Sequence, residues 1–225
     1  MFKIMTTPNT QHIRQLIAEA AQRDAEDQSL ARFAAAQVPN LHHTIKLPSD
    51  APEQALTDFI RQYIEHVPDF LDALTALMKE AEFYEQGRVF ITIAEEFFIS
   101  PPGLVSEHTG LVALLDEAYL SHRLVEEVND RIQIACGTPL SPMDMNLSNI
   151  VVHALLGEEF ANQLDLAVHY ALEALFNQGG PLNSPKCSQY LKDHRDNRWA
   201  DVLQKWPCLA GDASISLNVE DWLCG

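Results

Sequence analysis

The stretch SPMDMNLSNIVVHALLGEEFANQLDLAVHYALEALFN, residues 141–177, decides the fold, because no other part of the chain is as long or as regularly punctuated. Ser141-Pro142-Met143-Asp144 has the chemistry of a helix start. A Ser side chain takes an orphan backbone N–H, Pro in the first turn loses no needed donor, and Asp favours the positive end of the dipole. Gly179-Gly180-Pro181 supplies the stop, and no proline intervenes. These signals predict a long helix over 142–177, about 52 Å for about 35 residues, with Gly157 as the place for a bend. On a helical wheel Leu156, Phe160, Leu164, Ala167, Val168, Ala171 and Leu175 share one face, and Glu158, Glu159, Asn162, Gln163, Asp165, His169, Tyr170 and Glu173 the other. Residues 150–156 are apolar all round and are expected to be buried on every side. His153 projects into the apolar arc and reads as a core histidine bonded to a carbonyl or hydroxyl. Asp165, His169 and Glu173, spaced by four, read as solvent-exposed helical pairs rather than metal ligands.

Working outward, the preceding segment predicts a second long helix near 106–135, its apolar arc centred on Leu114, Ala118, Val125 and Ile132 and its end at Gly137-Thr138-Pro139. His108, Tyr119, His122, Glu126, Asn129 and Gln133 line that arc, while Asp116, Arg123, Glu127 and Asp130 form an outward face. Polar groups on two faces, one of them packed, are not what a purely structural helix needs. Before it, Val89 to Ile99 is β-branched and aromatic, yet its helical neighbours favour a short buried helix that follows a stop at Gly87. Glu95 and Glu96 inside that run are the least comfortable charges in the chain, because a buried carboxylate needs a cation, a metal or several donors.

The N-terminal part holds a helical pattern over 10–37, a loop from Pro39 to Pro52 carrying His42-His43, and a helical stripe over 51–84 that Pro68 should kink or split. Residues 182–225 are less regular, with Trp199 and Trp206 on a short helical pattern over 186–206. The whole is expected to be one all-α domain over 1–225: an N-terminal helix (10–37), a core bundle (51–177) and an irregular C-terminal segment (182–225).

Charge narrows the partners. The 225 residues include 32 acidic and 15 basic ones, a net charge of −17, which disfavours nucleic acid and anionic membranes. A basic protein partner suits it better. Hydrophobic residues make up 47%, enough for a substantial core. Cys136, Cys187, Cys208 and Cys224 form no C-x-x-C pair, so a reducing, cytoplasmic setting is expected. The first residues carry no apolar run of signal-peptide length, and no stretch reaches the roughly 20 apolar residues of a membrane span.

No G-x-G-x-x-G, Walker loop, H-E-x-x-H, G-x-S-x-G or EF-hand loop is present. What remains is carboxylates and imidazoles beside apolar helical stripes, an arrangement that suits iron or manganese in a bundle core. His122 with Glu126, and His169 with Glu173, have the i, i+4 spacing that places both groups on one face. E-x-x-H, the ferritin-like ligand pair, is absent from the sequence.

Gln62-Tyr63-Ile64-Glu65-His66-Val67-Pro68-Asp69-Phe70-Leu71, then Ala94-Glu95-Glu96, and His108 followed by Leu111, resemble the haem-oxygenase-like helical superfamily, whose relatives include thiaminase-type proteins and non-haem di-iron oxygenases. The resemblance spans about residues 51–176. It implies a Glu, a His, a later Glu and a C-terminal His/Asp cluster, with Glu96, His108 and Glu159 in the first three places. His194-Arg195-Asp196 stands at the fourth without the family's helical spacing.

Three functions follow as expectations. The first is an iron (or manganese) oxidase or oxygenase acting on a small, largely apolar substrate, with Glu96, His108, His122, Glu126 and Glu159 as metal ligands and Tyr119 as the catalytic residue beside them. The second is a non-enzymatic acidic helical protein that binds a basic protein as inhibitor, chaperone or regulatory subunit, with a homodimer left open. The third is a thiamine-related or cofactor-free protein with Cys136 as nucleophile, for which no cation is obviously placed to lower the thiol pKa.

Overall fold

A computed structural model describes residues 10–82, 84–101, 110–137, 139, 145–176, 189–190, 192–193 and 208–218. His108, Ser141 to Asp144, His194 to Asp196, Trp199 and Trp206 lie outside them, as does the side chain of Cys136. The fold is all-α. Its helices are α1 (Thr10–Asp27), α2 (Ser29–Gln37), α3 (Pro52–Glu65), α4 (Val67–Glu80), α5 (Tyr84–Ile99), α6 (Leu115–Cys136), α7 (Asn146–Leu156), α8 (Glu158–Phe176) and the short α9 (Leu209–Asp212). A two-residue antiparallel ladder joins β1 (Ile45–Lys46) to β2 (Ser216–Leu217), so the 39–52 loop is tied to the C-terminal segment.

The pattern near 106–135 gives the single helix α6, led in by a 3-10 turn over Gly110–Leu114, whereas the patterns over 10–37, 51–84 and 142–177 are each divided. The pattern over 10–37 breaks at Gln28, whose φ of 52° is left-handed. Asp24 Oδ1 accepts the Leu30 N–H at 2.7 Å and the Ser29 hydroxyl at 3.0 Å, and Asp27 Oδ1 accepts the Ser29 N–H at 2.9 Å. These carboxylates take over the orphan donors of α2, so restarting the helix costs little. Pro68 splits 51–84 as expected: α3 ends at Glu65, His66 is the joint, and Pro68 sits in the first turn of α4, where it needs no donor. Gly87 does not end this unit. It is buried inside α5, and the break falls at Ala81-Glu82, with Glu82 at φ 52°. The run Val89–Ile99 is helical, as the neighbouring helices suggested.

The 141–177 stretch departs furthest. Gly157 (φ 84°, ψ 141°) does not bend one helix but ends α7, and α8 doubles back so that His153 reaches Asn162. A side chain at this φ would be strained. Nor is the stretch the hub of the molecule. That place belongs to α6, which packs against α3, α4, α5, α7 and α8, most extensively against α5. Leu120, Leu124, Val128 and Ile132 of α6 are buried, each contributing about 1.5–3 kcal/mol relative to exposure. They belong to an apolar cluster that runs from Ile13 to Ile215. On α8 the buried row is Ala161, Leu164, Val168 and Leu172, close to the expected face.

Candidate functional site: a polar cavity between three helices

Tyr119, Arg123 and Glu126 follow one another at i, i+4 and i+7 on α6, and so share a face. That face looks across to α7 and α8. Between the three helices lies a cavity of about 370 Å³, lined from α6 by these residues, from α7 by Asn146, Asn149, Ile150 and His153, and from α8 by Asp165.

A continuous polar network covers its floor. Arg123 Nε donates to Asp165 Oδ1 at 2.9 Å, and Arg123 Nη1 donates to Glu126 Oε2. Tyr119 donates its phenol to the same Asp165 Oδ1 at 3.1 Å. Asn149 Nδ2 donates to Glu126 Oε2 at 2.7 Å, while Asn149 Oδ1 accepts the Tyr63 hydroxyl at 2.6 Å. Four helices, α3, α6, α7 and α8, are thereby joined through six side chains. Burial works against the Arg123 charge, but the hydrogen bond to Asp165 and the fields of Glu126 and Asp165 outweigh it and hold the guanidinium above its ordinary pKa. Burial, and then the neighbouring Asp165 charge, push the Tyr119 phenol up, so it acts as a hydrogen-bond donor and not as a phenolate. Tyr63 is raised for the same first reason, burial.

The sequence-predicted residues distribute unevenly over this geometry. Tyr119 and Glu126 line the cavity. His122 is fully buried elsewhere on α6, where its Nε2 donates to the Tyr63 carbonyl at 2.8 Å and its ring packs 4.3 Å from Tyr63 and 5.2 Å from Phe70. Burial lowers its pKa to about 4, so it is a neutral structural imidazole at neutral pH. Glu96 is half-buried on α5 and Glu159 is exposed on α8; neither lines the cavity. His108 lies outside the described residues. Among the described residues no three His, Cys, Asp or Glu side chains gather around a point that could hold a metal. Glu126 and Asp165 are instead bridged by Arg123, which supplies the positive charge that a metal would. The described part of the expected ligand set, Glu96, His122, Glu126 and Glu159, is not gathered around one point.

Five side chains sit differently from the sequence expectation. Arg123 and Asp116 do not face outward: Arg123 turns under α8, and Asp116 is buried beside Glu117. His153 is no core histidine. It stands half-buried at the cavity edge, its Nε2 3.3 Å from Asn162 Oδ1 and 4.0 Å from Asp165 Oδ2. Asp165 and Glu173 are not merely intrahelical pairs, since Arg123 and Arg131 of α6 reach across to them. Asn146 and Asn149 were missed altogether; their only sequence signal is that two amides interrupt the start of an apolar helix. Comparison with protein-family models, with curated proteins and with solved structures finds no match for this chain.

Proposed function

We propose that this chain is a binding protein for a small polar molecule, held in the cavity between α6, α7 and α8. One observation carries the proposal: a half-buried guanidinium, two carboxylates, a phenol and an amide converge on a cavity of about 370 Å³. Ligand pockets are typically of this order, with a few convergent polar groups that fix orientation. The floor is preorganised, because each of Arg123, Glu126, Asp165, Asn149 and Tyr119 is already held by a neighbour before any ligand arrives. Ile150 of α7 adds an apolar wall that is 47% exposed. An iron oxidase would need Glu96, His122, Glu126 and Glu159 to converge, and an Arg clasped by the carboxylates supports ligand binding instead.

The proposal is tested by ligand-observed NMR on a set of polar fragments, with wild type beside Ile150→Trp, whose larger ring would fill the cavity. Fragments that bind wild type and lose their signal with the variant support it. An equal hit pattern for the two proteins would sink it.

A basic protein partner is a second reading, favoured by a separate observation. Among the described residues the exposed large hydrophobic side chains, Ile134, Ile150, Leu166 and Tyr170, all belong to α6, α7 and α8. Glu127, Asp130 and Glu173 stand on the same two helices, α6 and α8, as Ile134, Leu166 and Tyr170. No described helix is long and apolar enough to cross a membrane.

A further inference from the structure

The cavity has a charge preference that follows from counting its bonds. Glu126 Oε2 accepts from both Arg123 and Asn149, which leaves Oε1 without a partner among the described residues, on a side chain only 9% exposed. Asp165 repeats the pattern. Its Oδ1 accepts from Arg123 and Tyr119, while its Oδ2 accepts no hydrogen bond from a described residue and lies 4.0 Å from His153 Nε2. Two carboxylates face one guanidinium, so the floor retains negative charge, and each carboxylate keeps one oxygen to offer.

We propose that the occupant of this cavity carries an ammonium group, so that the site is a receptor for a small aliphatic amine. The inference rests on the ligand-binding proposal above and names the ligand class. An ammonium brings three donors and no acceptor, which matches two free carboxylate oxygens and the lone pairs of the Tyr119 hydroxyl. A carboxylate ligand would meet like charge, and a neutral hydroxyl would satisfy one oxygen and leave the negative charge uncompensated. The alkyl stem of an amine has Ile150 to lie against. A net charge of −17 also raises the local concentration of cations around the whole chain, so affinity for an amine has to be separated from diffuse attraction.

Three probes of one skeleton make that separation: n-butylammonium, n-butanol and butyrate, titrated calorimetrically into the full chain at constant ionic strength. The expected result is about tenfold or tighter binding of n-butylammonium over the other two, a preference that disappears in Asp165→Asn and in Glu126→Gln. Circular dichroism confirms that each variant is folded, and Asp165→Asn, at a half-exposed position, keeps the test open where Glu126→Gln unfolds. Butanol or butyrate binding as tightly as the amine would overturn the charge inference and leave the cavity as a binding site. Amine binding undiminished in both folded variants would also overturn it, placing the amine on the acidic surface. If none of the three binds wild type, the amine inference fails; if the polar fragments also fail to distinguish wild type from Ile150→Trp, the ligand-binding proposal fails with it.

Discussion

Arg123 Nε lies 2.9 Å from Asp165 Oδ1, and this pair, 42 positions apart in sequence, fastens α6 to α8 beneath the cavity. Two turns further along, Arg131 Nη1 reaches Glu173 Oε1 at 3.4 Å with the same separation of 42. A constant offset means that the two helices run side by side in the same direction, with α7 returning the chain between them. The two ion pairs are similarly exposed at their carboxylates, 30% for Asp165 and 43% for Glu173, but Arg123 has a second partner, Glu126, whose carboxylate is only 9% exposed.

That difference sets the cost of breaking each. Arg123→Leu leaves the buried Glu126 carboxylate without its cation, and removal of one partner of a buried pair costs about 3–5 kcal/mol. Adding Glu126→Leu should recover part of the loss, because the unpaired buried charge is then gone. Arg131→Leu should cost under about 1 kcal/mol, because both carboxylates it pairs with, Glu127 and Glu173, are 32% and 43% exposed and stay solvated without it. Urea denaturation of the three variants checks this ranking. Equal losses for Arg123→Leu and Arg131→Leu would show that the clasp under the cavity is not buried.

His122 makes the fold sensitive to acid. Its folded pKa, about 4, lies below its ordinary 6.5, because burial penalises the imidazolium. The stability it contributes is complete above pH 6.5 and is lost as pH falls through that window towards 4. Gln at this position can still donate to the Tyr63 carbonyl but cannot titrate. Urea midpoints at pH 7 and pH 4.5 should therefore fall more steeply for wild type than for His122→Gln. Parallel falls would remove His122 as the source.

Glu117 acts at the other end of the pH scale. Burial, and then the hydrogen bond and charge of Asp116, raise its pKa from 4.5 to about 9, and its Oε2 is buried without a hydrogen-bond partner. A raised folded pKa means stability that is full below pH 4.5 and declines as pH rises towards 9. Glu117→Gln should flatten that decline and raise the unfolding free energy at pH 8 by about 1–3 kcal/mol, the scale of a relieved buried polar group. Thermal unfolding of both proteins between pH 5 and 9 measures it. An unchanged slope in the variant would place the titration elsewhere.

Helix content was legible because apolar periodicity is local, and Pro68 and Gly157 marked two of the breaks through backbone chemistry that is equally local. The break at Gln28 was not, since it depends on where the Asp24 carboxylate ends up, and nothing at Gln28 itself forbids a helix. Tyr119 and Glu126 were legible as polar residues on a packed face. Arg123 was not, because a long side chain on the wheel's outer edge can swing under a neighbouring helix. The cavity depends on α8 doubling back at Gly157 to lie parallel to α6. One continuous helix over 142–177 would have put Asp165 far from Arg123, so reading Gly157 as a bend hid the site.

Gly110 offers a test of how closely the N-terminal helices pack on the entry to α6. Its φ is 64°, and a Cβ built there would stand 2.7 Å from Ser29 Oγ and 3.6 Å from the Asp24 backbone. Gly110→Ala should lose about 1–3 kcal/mol, from the strained backbone and the displaced serine together. Pairing it with Ser29→Ala should return part of that loss in a double-mutant cycle. Strict additivity would mean that the serine is not the neighbour that matters.

The most direct measurement is a nitrogen-15 NMR titration of wild type with n-butylammonium, followed at the Arg123 Nε–H and at the side-chain amides of Asn146 and Asn149. All three belong to residues that line the cavity. Saturable shifts concentrated on these groups, with the exposed amides of α3 and α4 unmoved, are the result that a cavity receptor for an amine predicts. Shifts spread over the acidic surface and growing without saturation, or no shift at these three groups, would contradict it.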